Sequence, residues 1–156
     1  MTNDGTMTND SSACAVGPDK VVYRTAVRST EDGRSGLVQS EDGQLDLALA
    51  LPKELGGSGV GTNPEQLFAA GYAACFHSSV KLIARQEGIP LAESSVTAQV
   101  AMGPRGNAYT LKVRLIVSLP GIEGTVAHRL AQAAKGVCPY SIATEGKIPF
   151  ALEIAS

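Results

Sequence analysis

Apolar positions along the chain recur in two periods, and the switches between them predict the elements. Val21 to Arg28 alternates loosely in β-formers and predicts a strand. Glu31-Asp32-Gly33-Arg34-Ser35-Gly36 is a turn, and Leu37 to Ser40 a second strand. Asp42-Gly43 supplies the positive φ of a tight hairpin, so Gln44 to Leu49, with leucines at alternate positions, is the returning strand. Pro52 to Gly61 is loop. Its glycines at 56, 57, 59 and 61 raise the idea of a phosphate cradle, but the Gly-Lys-Ser/Thr ending of such loops is missing. Asn63-Pro64-Glu65-Gln66 then opens a helix: Asn63 as N-cap, Pro64 at the first helical position, and Gln66 to close a capping box. This helix should run to about Gln86, ahead of Gly88 and Pro90. Its first half is apolar on nearly all sides, which predicts a central helix.

Ser94 to Met102 and Tyr109 to Leu119 read as two strands joined by a turn at Gly103–Asn107. In the second, Leu111, Val113, Leu115 and Val117 share one face, with Lys112 and Arg114 on the other. Ile122 to Lys135 carries Val126, Leu130 and Ala133 or Ala134 at helical spacing, with Gly136 as its stop. Cys138-Pro139 starts another short helix, and Lys147 to Ile154 is a last strand. The order βββ–α–ββ–α–α–β places the chain in the α+β class with mainly antiparallel pairing.

Composition narrows the picture. The chain has 156 residues and 44% hydrophobic residues, so one domain with a real core is expected. Residues 1–19, in which Met-Thr-Asn-Asp occurs twice and Cys14 lies, have the composition of a disordered tail; the domain is expected over residues 20–156. A net charge of −2 with scattered Lys and Arg argues against nucleic acid. The apolar run after Glu65 is short for a membrane span and is broken by Gln66, His77, Ser78 and Ser79. With no signal-peptide pattern at the N-terminus the expected location is the cytoplasm, where three cysteines point to reactive or reduced thiols. Two distant histidines and these cysteines show no metal-ligand spacing.

The candidate chemistry centres on sulfur. Cys75 lies within Gln66–Val80, the longest uncharged run of the chain, and Cys138 opens the motif Val137-Cys138-Pro139-Tyr140-Ser141. As an N-cap, Cys138 either sits where unsatisfied N–H groups lower a thiol pKa or merely caps a turn. Mid-helix and apolar, Cys75 should have a raised pKa and needs a cation brought from elsewhere. His77, two positions on, points to another side of the helix. Arg34, in a loop flanked by glycines, is the best-suited cation, and Glu65 is a candidate to hold it. Glu65 and Cys75 are ten positions apart, about 15 Å along a straight helix. A bent helix, a spanning Arg34 or Glu65 of a second subunit would each close that gap, and the small residues Ala69, Ala70, Gly71, Ala73 and Ala74 favour two-fold pairing of such helices.

Gly61-Thr62-Asn63-Pro64-Glu65-Gln66-Leu67-Phe68-Ala69-Ala70-Gly71-Tyr72 followed by Cys75, together with Val137–Ser141 and Pro52–Gly57, closely resembles the Ohr branch of the Ohr/OsmC family, the organic hydroperoxide resistance proteins. The likeness runs from about Val21 to the C-terminus. The resemblance implies an intertwined homodimer in which antiparallel sheets pack around central apolar helices, with two active sites at the subunit interface. It implies a thiol peroxidase in which Cys75 is peroxidatic, Cys138 resolving, and Arg34 and Glu65 activate Cys75. The expected substrates are alkyl or lipid hydroperoxides, in an apolar pocket of Leu67, Phe68, Tyr72, Phe76 and Tyr140. No bound cofactor or metal is expected; the reductant would be a dithiol, dihydrolipoamide or a lipoylated protein. An OsmC-type enzyme of broader peroxide preference is the nearest alternative. A non-catalytic redox sensor or ligand-binding protein that uses the disulfide as a signal is a different class, and the lack of a DNA-binding element weakens the sensor idea. A cysteine hydrolase would need an oriented base beside Cys75, which neither His77 nor His128 evidently provides.

Overall fold

The computed structural model describes residues 17–155. The expected disordered tail and Cys14 fall, up to residue 16, outside the described residues. Six strands and three α-helices follow: β1 (Val27–Thr30), β2 (Leu37–Ser40), β3 (Asp46–Ala48), α1 (Pro64–Gln86), β4 (Ser95–Arg105), β5 (Ala108–Ser118), α2 (Gly124–Val137), α3 (Pro139–Thr144) and β6 (Phe150–Ile154). The class is α+β, with two three-stranded sheets and a central helix.

The first sheet, β1-β2-β3, is antiparallel throughout. Its hairpin turn closes at Gly43, φ +70°, beside Asp42, whose side chain accepts from Ser40 Oγ and the Gln44 N–H. The first strand is shorter and later than the alternation predicts, because nothing pairs with Val21 to Ala26 along a full ladder. In the second sheet β4 and β5 form a long hairpin whose pairing runs from Ser95–Ser118 to Arg105–Ala108. The predicted five-residue turn is thus only two residues, Gly106-Asn107. Gly106 at φ +59° is the first central residue of a tight hairpin, and its freedom lets the ladder continue through Gly103 and Pro104. The last strand, β6, departs from the antiparallel expectation and lies parallel to β5. Two helices separate these strands, and a crossover of that length returns the chain in the same direction.

One face of β5 supplies the core. Val113, Leu115 and Val117 are buried, and Lys112 and Arg114 point outward. Against them pack Tyr72, Phe76, Val80 and Ala84 of α1 and Ala127, Leu130, Ala131 and Ala134 of α2. Burial of a side chain such as Leu115 or Leu130 contributes about 1.5–3 kcal/mol. The inward residues of α1 recur at 72, 76, 80 and 84, one per turn, which is the spacing of a single stripe. Its remaining faces are only partly covered: 28% of its most apolar 18-residue window is buried. By length and composition α1 is also apolar enough to cross a membrane, although the uncharged run alone is short for a span.

The ends of α1 follow local rules. Asn63 Oδ1 accepts from Gln66 N at 2.9 Å, and Pro64 occupies the first turn. The capping box is only half made, since the Gln66 side chain accepts from Thr62 Oγ1 at 2.8 Å instead. Gly136 is not the stop of α2. The helix continues through it to Val137 and ends at Cys138, whose extended backbone, φ −73° and ψ 118°, is the conformation imposed on a residue before proline.

Candidate active site

Cys75 and Cys138 come together. Their Sγ atoms are 3.7 Å apart although 63 positions separate them in sequence. Cys75 projects from the middle of α1, where it is half-buried. Cys138 is fully buried and is at once the C-cap of α2 and the residue ahead of α3. Its N–H donates to the Ala134 carbonyl at 2.9 Å, and its carbonyl accepts from Ile142 N at 3.0 Å. Both thiols are free. Closing the pair needs the sulfurs to approach from 3.7 Å to the roughly 2.05 Å of a disulfide.

Within the chain, burial pushes the Cys75 thiol up. The backbone N–H of Tyr140 opposes that shift, and the Cys138 thiol adds to it. No cation acts on the Cys75 sulfur from its own chain among the described residues.

The candidate cation lies away from the thiol, bound to the first turn of the same helix. Arg34 stands in a single 3₁₀ turn, Gly33–Ser35, between β1 and β2. The turn closes tightly at Gly36, where a Cβ would fall 2.1 Å from the Thr30 carbonyl oxygen. Glu31, at φ +58°, is the one non-glycine in the left-handed region among the described residues, so this turn holds backbone strain. Arg34 grips Glu65 with both nitrogens, Nη1 to Oε2 at 2.9 Å and Nη2 to Oε1 at 2.7 Å. Its Nη2 also lies 3.8 Å from Met102 Sδ of β4. The pair holds the Glu65 carboxyl below, and the Arg34 guanidinium above, their usual pKa values, chiefly through these hydrogen bonds. Glu65 sits in the first turn of α1, and the helix is unbroken from there to Gln86. The ion pair and Cys75 therefore stand about 15 Å apart along one straight element. Beside the pair lies a groove of about 480 Å³ whose wall includes Leu55, Ala69, Val100 and Met102.

The five residues expected to line a pocket divide. Phe68 and Tyr140 are partly open and face each other at 6.2 Å between ring centroids. Tyr72 and Phe76 are fully buried in the core of the chain and line no open surface of it. They stand on the helix stripe that packs on β5, a side the apolar run does not reveal by composition. Tyr72 directs its hydroxyl to Ser141 Oγ at 3.0 Å and Thr144 Oγ1 at 3.2 Å, tying α3 to α1. Leu67 is half-buried one position before Phe68. The sequence reading quoted Ser141 within the Cys138 motif without a role, and missed Thr144 and Met102, which act only by where the chain returns.

His77 Nε2 is 2.8 Å from Ser94 Oγ, and burial with Lys81 nearby lowers its pKa. It serves that contact and not the thiol. No group of three His, Cys, Asp or Glu residues is arranged to hold a metal among the described residues.

Residues 56–153 match the family model described as OsmC-like protein. The chain is 44% identical over 140 residues to the organic hydroperoxide resistance protein of Xanthomonas axonopodis pv. citri, covering 88% of this chain and 98% of that one. It is 44% identical over 138 residues to the organic hydroperoxide resistance protein OhrA of Bacillus subtilis, covering 84% and 95%. The chain belongs to the Ohr branch of the OsmC-like family. Its fold is shared as well. The crystal structure of an organic hydroperoxide resistance protein OsmC from Legionella pneumophila superposes with a TM-score of 0.84 at 40% identity, over 88% of this chain and all of that one. The matched residues 56–153 include both cysteine motifs, and the loop of Arg34 precedes them.

Proposed function

We propose that the protein is a cysteine peroxidase that confers resistance to organic hydroperoxides. The observation that carries this reading is the 3.7 Å approach of Cys75 and Cys138. The Cys75 thiolate attacks the terminal oxygen of a hydroperoxide ROOH. The O–O bond breaks, ROH leaves with a proton, and Cys75 becomes a sulfenic acid. The Cys138 thiol then attacks that sulfur, water leaves, and a Cys75–Cys138 disulfide forms. An external dithiol of the lipoyl type, dihydrolipoamide or a lipoylated protein, reduces it by exchange and is itself oxidised to its disulfide. No bound cofactor is required.

Burial alone keeps Cys75 protonated, so the reaction needs a cation at the sulfur. We assign that role to the Arg34–Glu65 pair of a second subunit. Pairing of two α1 helices head to tail would bring each ion pair to the partner's thiol, and the incompletely buried apolar faces of α1 favour a second copy as their cover. The groove beside Glu65 of one subunit and the rings of Phe68 and Tyr140 near Cys75 of the other would then enclose an alkyl chain. In this reading the protein is a soluble, cytoplasmic homodimer.

The test is consumption of cumene or tert-butyl hydroperoxide against hydrogen peroxide by the reduced protein with dihydrolipoamide. Organic peroxides should be consumed faster, and peptide mapping should show the Cys75–Cys138 bond after one equivalent. Equal rates for all peroxides, the behaviour of a broader OsmC-type enzyme, or no consumption at all would overturn the assignment.

A further inference from the structure

Gly71 and Cys75 are four positions apart, so they sit one above the other on the same face of α1. Tyr140 and Cys138 are two positions apart at the start of α3. The two segments meet twice: Cys138 against Cys75, and the Tyr140 ring against Gly71. The second contact leaves no room. A Cβ at position 71 would lie 2.7 Å from Tyr140 Oη, 3.0 Å from Cε2 and 3.2 Å from Cζ. Phe68 and Tyr72 hold the ring from either side, with centroids at 6.2 and 5.6 Å. The Tyr140 hydroxyl has no hydrogen-bond partner among the described residues, so the ring is held by shape and aromatic contact.

We infer that Tyr140, seated in a notch that only glycine at position 71 leaves open, is the positioning residue that sets the distance between the two cysteine sulfurs. This rests on the resolving role given to Cys138 above and names what makes that role efficient. Gly71 has no left-handed backbone to require it, and a glycine inside a helix costs about 1 kcal/mol against alanine. What it gives is the seat. With a methyl there, the tip of the ring must retreat by the better part of an ångström, and since Phe68 and Tyr72 pack against the ring, on this inference the short segment Cys138-Pro139-Tyr140 gives as well and moves Cys138. Misplacement on that scale costs up to about a hundredfold in a reaction between positioned groups. The same displacement moves the Tyr140 N–H off the Cys75 sulfur.

A thiol–disulfide equilibrium reads this without any peroxide. The reduced full-length protein is equilibrated anaerobically with mixtures of reduced and oxidised glutathione, then alkylated and mapped for the Cys75–Cys138 bond. Each closure passes two electrons and two protons to oxidised glutathione and releases two glutathione thiols. The variants are Gly71→Ala, Tyr140→Ala and the two together. Gly71→Ala should lower the closure constant about tenfold in the wild-type background and have no further effect in the Tyr140→Ala background. A constant within twofold of wild type for Gly71→Ala, or an equal loss in both backgrounds, would overturn the inference. Should Gly71→Ala fail to fold, a folded double variant supports the seat, and an unfolded double variant overturns it because the obstacle would not be Tyr140. A wild type that closes in glutathione but consumes no hydroperoxide sinks the peroxidase reading and leaves the seat standing.

Discussion

Burial pushes the Cys75 thiol up, and among the described residues the backbone N–H of Tyr140 is the group that favours the thiolate. In the proposed dimer its reactivity at neutral pH would come from Arg34 of the second subunit. Removing the cation, by Arg34→Ala, should lower kcat/KM for cumene hydroperoxide by roughly a hundredfold, the usual scale for one charge-stabilising donor. The remaining rate should climb with pH beyond the range of an ordinary thiol, because a raised pKa leaves little thiolate until the medium is alkaline. Thiolate absorbance at 240 nm checks this, and an unchanged titration would discard Arg34 as activator. Glu65 makes a second pH-dependent contribution. Its carboxyl is lowered by Arg34, so the stability it adds is present above the ordinary carboxylate pKa and is lost as pH falls through the lowered value. Urea midpoints of wild type and Glu65→Gln should differ at pH 7 and converge in acid; the pair is partly exposed, so the difference will be small. At this scale the sequence showed which residues matter better than which way they face. Arg34 and Glu65 were legible as a loop cation and its carboxylate. Tyr72 and Phe76 were legible as apolar, but their burial depends on a stripe fixed by β5 and α2, which a local reading does not contain.

Elements were more legible than side chains where a single residue dictates the backbone. Pro64 and Asn63 start α1, and Pro139 ends α2 while starting α3. Asn63→Ala should cost about 1 kcal/mol by removing the acceptor for Gln66 N, seen as a drop in thermal midpoint with the slope of the transition unchanged. Elements were least legible where pairing decides. The β4–β5 ladder runs past Gly103 and Pro104 because cross-strand partners outvote turn propensity, and α2 runs past Gly136 because packing of Leu130 and Ala134 carries it on. The turn of Arg34 belongs to this scale too. Gly36→Ala would place a methyl 2.1 Å from the Thr30 carbonyl oxygen, so the turn must open. The expected outcome is a loss of peroxidase rate comparable to Arg34→Ala with both cysteines still able to close in glutathione. Parallel loss of both properties would mean the turn supports the whole fold and does more than present Arg34.

For the molecule as a whole, the telling feature is an apolar central helix covered along one stripe only. Ala70 and Ala74 are exposed on it, flanking the notch at Gly71. Ala74→Glu places a charge on that face. Sedimentation velocity should show a monomer at micromolar concentration, with activity lost and the circular dichroism of the fold retained. A wild-type monomer of full activity would remove the dimer from the mechanism. The sequence carried this expectation through its small residues, but it held three explanations of the Glu65–Cys75 gap together. The unbroken helix removes the bent one.

That unbroken helix also has a consequence in heredity. Glu65 with Arg34 marks the start of α1 and Cys75 lies about 15 Å along it, so in the proposed dimer each subunit gives its ion pair to one site and its thiol to the other. An allele defective at Cys75 would be inactive alone, and one defective at Arg34 nearly so. Expressed together, they assemble hybrids with one intact site in two. With random pairing half the dimers are hybrid, so co-purified protein should recover about a quarter of wild-type activity. Two broken copies would then do what neither can do singly, and a cell could survive hydroperoxide on the pair.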